Sequence, residues 1–266
     1  MNTLRAGIEK IGRTGTAGST WFAAFLRSVT DYCYLLFITL KRLPQLIKNP
    51  DLTIAQMFSL GVESAGLVSV IAFFLGSVTV TQAVYQMSGM IPMRYLGVLV
   101  SKSIITELGP VITSMVFAGR VATGIAAEIG SMKNSEQFDA MTVLNLDPIR
   151  YLIVPKTAAC IIMVPLCVVW AEFLAFLGAF ITAILSVDTT IHTFLNGLRL
   201  FFNSYDLYYG ILKTTVFGAI VAITGSHFGF NVKAGAQGVG DATTKAVITS
   251  VVLILIFDFL IALLVL

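Results

Sequence analysis

Five charged side chains stand inside otherwise apolar runs of this chain: Glu107, Arg120, Glu172, Lys213 and Asp258. A charge at the centre of a lipid-embedded helix costs about 2.5–3.5 kcal/mol on insertion scales. Such residues therefore persist where they pair, line water or meet a substrate. Glu107 lies in ITELGPVITS, three residues before Pro110. Proline removes a backbone hydrogen bond and bends a helix, so a carboxylate and a freed carbonyl are expected to face a cavity there. Leu99, Ile104, Val111 and Met115 could supply its apolar wall. Lys213 and Asp258 sit on two later apolar runs. Two chemistries fit the set: a polar wall or latch in a substrate pathway, or buried ion pairs, such as Glu107 or Asp258 with Lys213, that hold helices in register. Glu172 is expected to pack or to reach toward the interface.

Other chemistry finds little support. Cys33, Cys160 and Cys167 lie in apolar surroundings without CxxC spacing and read as packing residues. His192 and His227 are far apart, so no metal site is expected. An intramembrane lipid enzyme would need a convergent nucleophile, base or metal ligands. The order of GAQGVG at 235–240 is GxxGxG with no strand before it, which is no dinucleotide fingerprint, and GxxxxGK[ST] is absent. These glycines read as a tight turn, with Asp241 or Thr243 capping the last helix. Gly225 and Gly229 form a GxxxG pattern suited to close helix packing.

The elements that must position these residues follow from composition. Of 266 residues, 57% are hydrophobic and 12% charged, and mean hydropathy is +0.90. Those values indicate an all-α polytopic membrane protein. A hydrocarbon core of ~30 Å needs roughly 20 apolar residues as a helix. Five runs qualify: about Ser64–Tyr85, Leu99–Val121, Ile153–Ser186, Tyr208–Phe230 and Ala246–Leu266. The alternating ~10-residue segments of a barrel are missing. Upstream, the apolar stretch Tyr32–Leu40 is too short to span; Arg27, Asp31, Lys41 and Arg42 flank it, with Trp21 and Phe22 before it. That predicts a helix lying in the membrane interface. Residues 1–50 then form an N-terminal and interfacial region, and 51–266 a five-span domain without internal repeats. No signal-peptide pattern follows Arg5, Lys10 and Arg13. Basic residues concentrated before residue 50 place the N-terminus in the cytoplasm and, after five spans, the C-terminus outside. The net charge of +3 is too small to suggest nucleic acid.

The polar segment Glu128–Pro155 interrupts the apolar pattern. It carries Lys133, Glu136, Asp139, Asp147 and Arg150, with Met132, Phe138, Met141 and Leu144 among them. Ser135 is expected to cap a short helix and Asp147–Pro148 to end it. An amphipathic helix in water beside a membrane can dock a soluble partner.

ELGPVITSMVFAGR at Glu107–Arg120, AEIGSMKNSEQFDAMTVLNLDPIRYLIVPK at Ala127–Lys156 and GAQGVGDATTKAV at Gly235–Val247 together resemble the MlaE-type permease family. The likeness covers nearly the whole chain beyond the N-terminal helix, and Asn145 departs from it, standing where many members carry glycine. The resemblance implies an interfacial helix plus five spans, and the non-enzymatic permease subunit of an ATP-binding cassette transporter for phospholipid in a bacterial inner membrane. It further implies a homodimer, two ATPase subunits that bind ATP and Mg, a periplasmic Mce-domain hexamer, and in some systems a small STAS-domain regulator. No cofactor is expected in this chain. By the same likeness, about Ser131–Leu144 is a coupling helix on the ATPase, with Met132, Glu136, Gln137, Phe138, Asp139 and Met141 as contacts. Glu107 and Pro110 would belong to the lipid cavity, with Lys213 and Asp258 nearby. The competing expectation is a proton-coupled secondary transporter using Glu107 and Asp258; inverted repeats would favour it, and none is visible.

Overall fold

An apolar segment in lipid must satisfy its backbone polar groups internally, so it folds as a helix. The computed structural model describes residues 17–44, 50–87, 92–186, 191–200 and 203–265, without the side chains of 17–25, 27 and 186. Arg5, Lys10 and Arg13 lie outside the described residues, as do the side chains of Trp21, Phe22 and Arg27. The helices are α1 (Ala17–Arg42), α2 (Pro50–Met87), α3 (Met93–Asn134), α4 (Gln137–Val143), α5 (Ile149–Leu185), α6 (Ile191–Leu200), α7 (Ser204–Phe230) and α8 (Ala236–Val265). Among the described residues there is no strand. Five helices, α2, α3, α5, α7 and α8, are long and apolar enough to cross a membrane. The chain is an all-α, multi-pass membrane protein.

Helix α7 is the most enclosed span and packs on α3, α5 and α8; α2 lies along α5. The main core joins all five spans through residues such as Val68, Phe117, Ile125, Val164, Phe217, Val221 and Ile254. Small residues let the backbones close on one another. A Cβ at Gly225 would stand 2.9 Å from the Ala122 carbonyl oxygen, and one at Gly229 would stand 2.8 Å from Ile129 Cβ. The GxxxG pair is thus a packing device on α3. A second core, with Val80, Leu96, Ile104, Ala179 and Phe194, fills the end of the bundle that carries α6. Helix α1 lays Leu35 against Ile153 and Ile223, its Tyr32 hydroxyl lies 3.2 Å from Thr224 Oγ1, and Arg42 pairs with Asp147.

Several local expectations change. The spans run longer than their apolar runs, because polar turns continue the helical hydrogen bonds beyond the membrane-length stretch. The connection between the third and fourth spans contains helix α6, whose amphipathic face buries Phe194 and Gly197. The GAQGVG segment is no loop: α8 begins at Ala236, so only Gly235, at φ +94°, makes the turn. Neither Asp241 nor Thr243 caps the helix; Thr243 Oγ1 donates to the Gly240 carbonyl from within it.

The polar segment also differs from a single helix over 131–144. Residues 131–134 finish α3, and the chain breaks at Ser135 and Glu136 before α4. Ser135 donates back to the Ser131 carbonyl and does not cap α4; Glu136, at φ 57°, precedes it without a side-chain cap. Asn145 takes φ 56° just after the helix. Asparagine tolerates that left-handed conformation better than most residues, which explains why it serves where glycine is the common choice. Asp147 does not end α4 but accepts from the Ile149 amide and so starts α5.

Candidate functional site

The polar centre of the bundle is built by an irregular turn in α3 and a close helix contact. Helix α3 carries a π-helical turn at Ile104–Leu108, immediately before Gly109–Pro110. A π turn inserts an extra residue and redirects side chains, and such turns recur at functional sites. Pro110 brings no N–H to the Thr106 carbonyl four residues back. Lys213 on α7 fills that role, its Nζ lying 3.4 Å from the Thr106 oxygen. The approach depends on Gly210: a Cβ there would stand 3.0 Å from the Ile105 carbonyl oxygen.

Lys213 is fully buried and reaches two carboxylates. Its Nζ donates to Glu107 Oε1 at 2.8 Å and stands 2.7 Å from Asp258 Oδ1 on α8. The second contact is ionic in distance but off the hydrogen-bond line in angle. The Tyr209 ring lies 4.4 Å from Nζ, adding a cation–π contact. The expected carbonyl is therefore held by an ammonium and does not face open space. Glu107 remains 44% exposed and Asp258 18%. One cation ties α3, α7 and α8 together and leaves a partly open carboxylate on the outer face of the chain.

Other predicted positions divide. Leu99 is exposed on the same helix as Glu107, and Val111 and Met115 are half-buried. Ile104 and Pro110 are buried within the chain, Ile104 in the second core. Ile104 is thus not an open cavity wall: it continues the buried i, i+4 row of Leu96 and Val100 that packs against α2 and α5. Glu172 is 6% exposed and packs beside Gly109, where a Cβ would meet its Cγ at 2.9 Å. Arg120, within a second π turn at Ala118–Ala122, donates to Ser64 Oγ at 2.7 Å and Glu63 Oε2 at 3.1 Å.

At the opposite, α4 end, Phe138 stacks on Phe230 at 4.7 Å between centroids and Met141 is half-buried. Phe138 therefore anchors α4 to its own chain. Met132 is half-buried at the end of α3, while Glu136, Gln137 and Asp139 are exposed. The outward apolar residues are Val143 and Leu144, 86% and 70% exposed. Val143 carries no sequence signal beyond its apolar type, because the larger Phe138 and Met141 dominate the apolar pattern of α4. A further clasp joins α5, α3 and α2: buried Lys156 donates to Glu128 Oε2 at 2.7 Å and to Gln56 Oε1 at 3.0 Å. Its only sequence signal was a lysine opening an apolar run.

Among the described residues no group of three His, Cys, Asp or Glu side chains could hold a metal. Cys160 and Cys167 are buried and unpaired, as packing residues are; Cys33 is exposed.

Comparison with known proteins places this architecture. The family model for the permease MlaE matches residues 53–264. A probable ABC transporter permease protein of Rickettsia prowazekii is 35% identical over 240 residues, 89% of this chain and 92% of its own length. One from Synechocystis is 37% identical over 209 residues, covering 78% and 79%. The intermembrane phospholipid transport system permease protein MlaE of Haemophilus influenzae is 29% identical over 237 residues, covering 89% and 91%. The matched segment takes in every candidate span almost end to end, and the chain belongs to the MlaE family of ABC transporter permeases.

Proposed function

We propose that this permease moves phospholipid between a bacterial inner membrane and a periplasmic Mce-domain carrier, in support of outer-membrane lipid asymmetry. It works as a homodimer driven by two separate ATPase subunits, with its N-terminus and α4 in the cytoplasm and its C-terminus in the periplasm. The observation that carries the proposal is the half-open Glu107, held by Lys213 within the bundle on a helix that also exposes Leu99 about two turns away. A partly exposed carboxylate at membrane depth is costly against acyl chains. A second copy related by twofold symmetry would cover it and enclose a cavity with apolar walls and a polar spot. The Haemophilus relative's name supports phospholipid as the cargo. The proton-coupled alternative gains nothing here, because Glu107 and Asp258 both contact one ammonium.

A photoreactive residue at position 107 tests this in the assembled transporter. Capture of phospholipid, with native mass showing two copies of this chain, is the expected result. Protein-only adducts, or one copy per complex, would overturn it. Glu107→Ala should reduce lipid transport at least about tenfold while leaving the complex assembled, as expected for loss of one charged contact.

A further inference from the structure

A cavity of about 400 Å³ opens at the α4 end, between α1, the end of α7 and the first turns of α8. Asp31, Lys233, Asp241 and Lys245 line it. Two cations and two anions share this space, yet none of the four forms an ion pair among the described residues. All four side chains are exposed, so their charges are open to a partner from outside the chain. Asp31 stands on α1, Lys233 precedes the Gly235 turn, and Asp241 and Lys245, four residues apart on one α8 face, lie within reach of each other yet stay unpaired. The floor is apolar or buried: His227, Val232 and Ala242.

The same α8 face changes character along its length. Positions 241, 245, 248 and 252 follow helical spacing. Beyond Lys245 they become Ile248 and Val252, 59% and 48% exposed, with Phe259 farther on at 66%. The charged cavity therefore adjoins the broad apolar surface that α8 exposes beyond Lys245. Neutral net charge with both signs fits neither a simple anion nor a simple cation. It fits a ligand that bears a phosphate and an ammonium on one end and acyl chains on the other.

We propose that this cavity binds the headgroup of a zwitterionic phospholipid, with Lys233 and Lys245 toward the phosphate, Asp31 and Asp241 toward the ammonium, and the tails along Ile248 and Val252. The site lies at the opposite end of α8 from Asp258 and is separate from the Lys213 cluster. It rests on the phospholipid reading above, and it supplies a position for lipid in the leaflet on the α4 side.

The test uses the full chain with its ATPase in nanodiscs of phosphatidylethanolamine and phosphatidylglycerol, with a photoreactive residue replacing Ser28, which also lines the cavity. Adducts are identified by mass spectrometry. Phosphatidylethanolamine should be captured in excess of its share of the bilayer. Capture should fall about tenfold in Asp31→Asn/Asp241→Asn and again in Lys233→Gln/Lys245→Gln, each pair removing charge-assisted contacts. The two lesions are opposite in charge, so a general electrostatic effect would move capture in opposite directions and overturn the proposal. Capture in bulk lipid ratio, adducts to a second copy alone, or full displacement by millimolar inorganic phosphate would overturn it as well. A parallel probe at position 107 reads the transport pathway by itself. Lipid captured there but not at 28 rejects this site and leaves the transport reading standing.

Discussion

Replacing Lys213 with methionine removes the one cation between two carboxylates while nearly preserving side-chain volume. Glu107 Oε1 and Asp258 Oδ1 each lie within 2.8 Å of its Nζ. Without it, two like charges face each other at about 5 Å, which at an effective dielectric near 20 is worth roughly 3 kcal/mol of repulsion. Breaking a buried pair from one side typically costs about 3–5 kcal/mol. Glu107 is nearly half exposed, and its screening argues for the lower end of that range. The thermal midpoint of the purified protein should fall by roughly 6–20 °C. The diagnostic step is the second substitution. Adding Asp258→Asn to Lys213→Met should recover more than half the loss, because Asp258 is the more enclosed carboxylate; adding Glu107→Gln should recover less. Fluorescence-monitored unfolding in detergent, read across all combinations of the three substitutions, gives the coupling directly. If Lys213→Met melts with the parent, or Asp258→Asn restores nothing, the cluster does not hold α3, α7 and α8 together.

Further outcomes follow from the same structure. Val143→Ser/Leu144→Ser should weaken copurification of the ATPase about tenfold or more while leaving the melting point within a few degrees, because these side chains point away from their own chain. Glu136→Lys/Asp139→Lys should likewise uncouple lipid-stimulated ATP hydrolysis; an intact complex with parental hydrolysis would remove α4 from the coupling role. Asn145→Gly should be neutral or slightly stabilising and Asn145→Val should cost about 1–2 kcal/mol, since a β-branched residue is strained at φ 56°; comparing the two melting points checks this. Gly210→Ala should press a Cβ against the Ile105 carbonyl, push α7 from α3 and lower stability by about 1–3 kcal/mol; an unchanged midpoint would show that the helices separate freely.

Class, span count and family were legible in the sequence, because lipid imposes a simple rule: long apolar runs must be helices, and charge must be accounted for. The charged residues worth notice were visible for the same reason. GxxxG at 225–229 also carried its packing meaning in residue type alone, whereas the carbonyl freed by Pro110, expected to face a cavity, is held by Lys213. Tertiary structure decided what those residues do to one another. Ile104 continues the buried i, i+4 row of Leu96 and Val100 and so faces the core, and only the close approach at Gly210 could bring Lys213 to Glu107 and Asp258 on two other helices. In α4 apolar residues lie on more than one face of a short polar helix, so residue type alone does not report that Phe138 packs on Phe230 while Val143 and Leu144 face out. Glycine's turn preference likewise predicts a turn through Gly238 and Gly240, where the structure has helix. Intrinsic preference opposes glycine in a helix by only about 1 kcal/mol, and the packing of α8 against α7 and α3 overrides it.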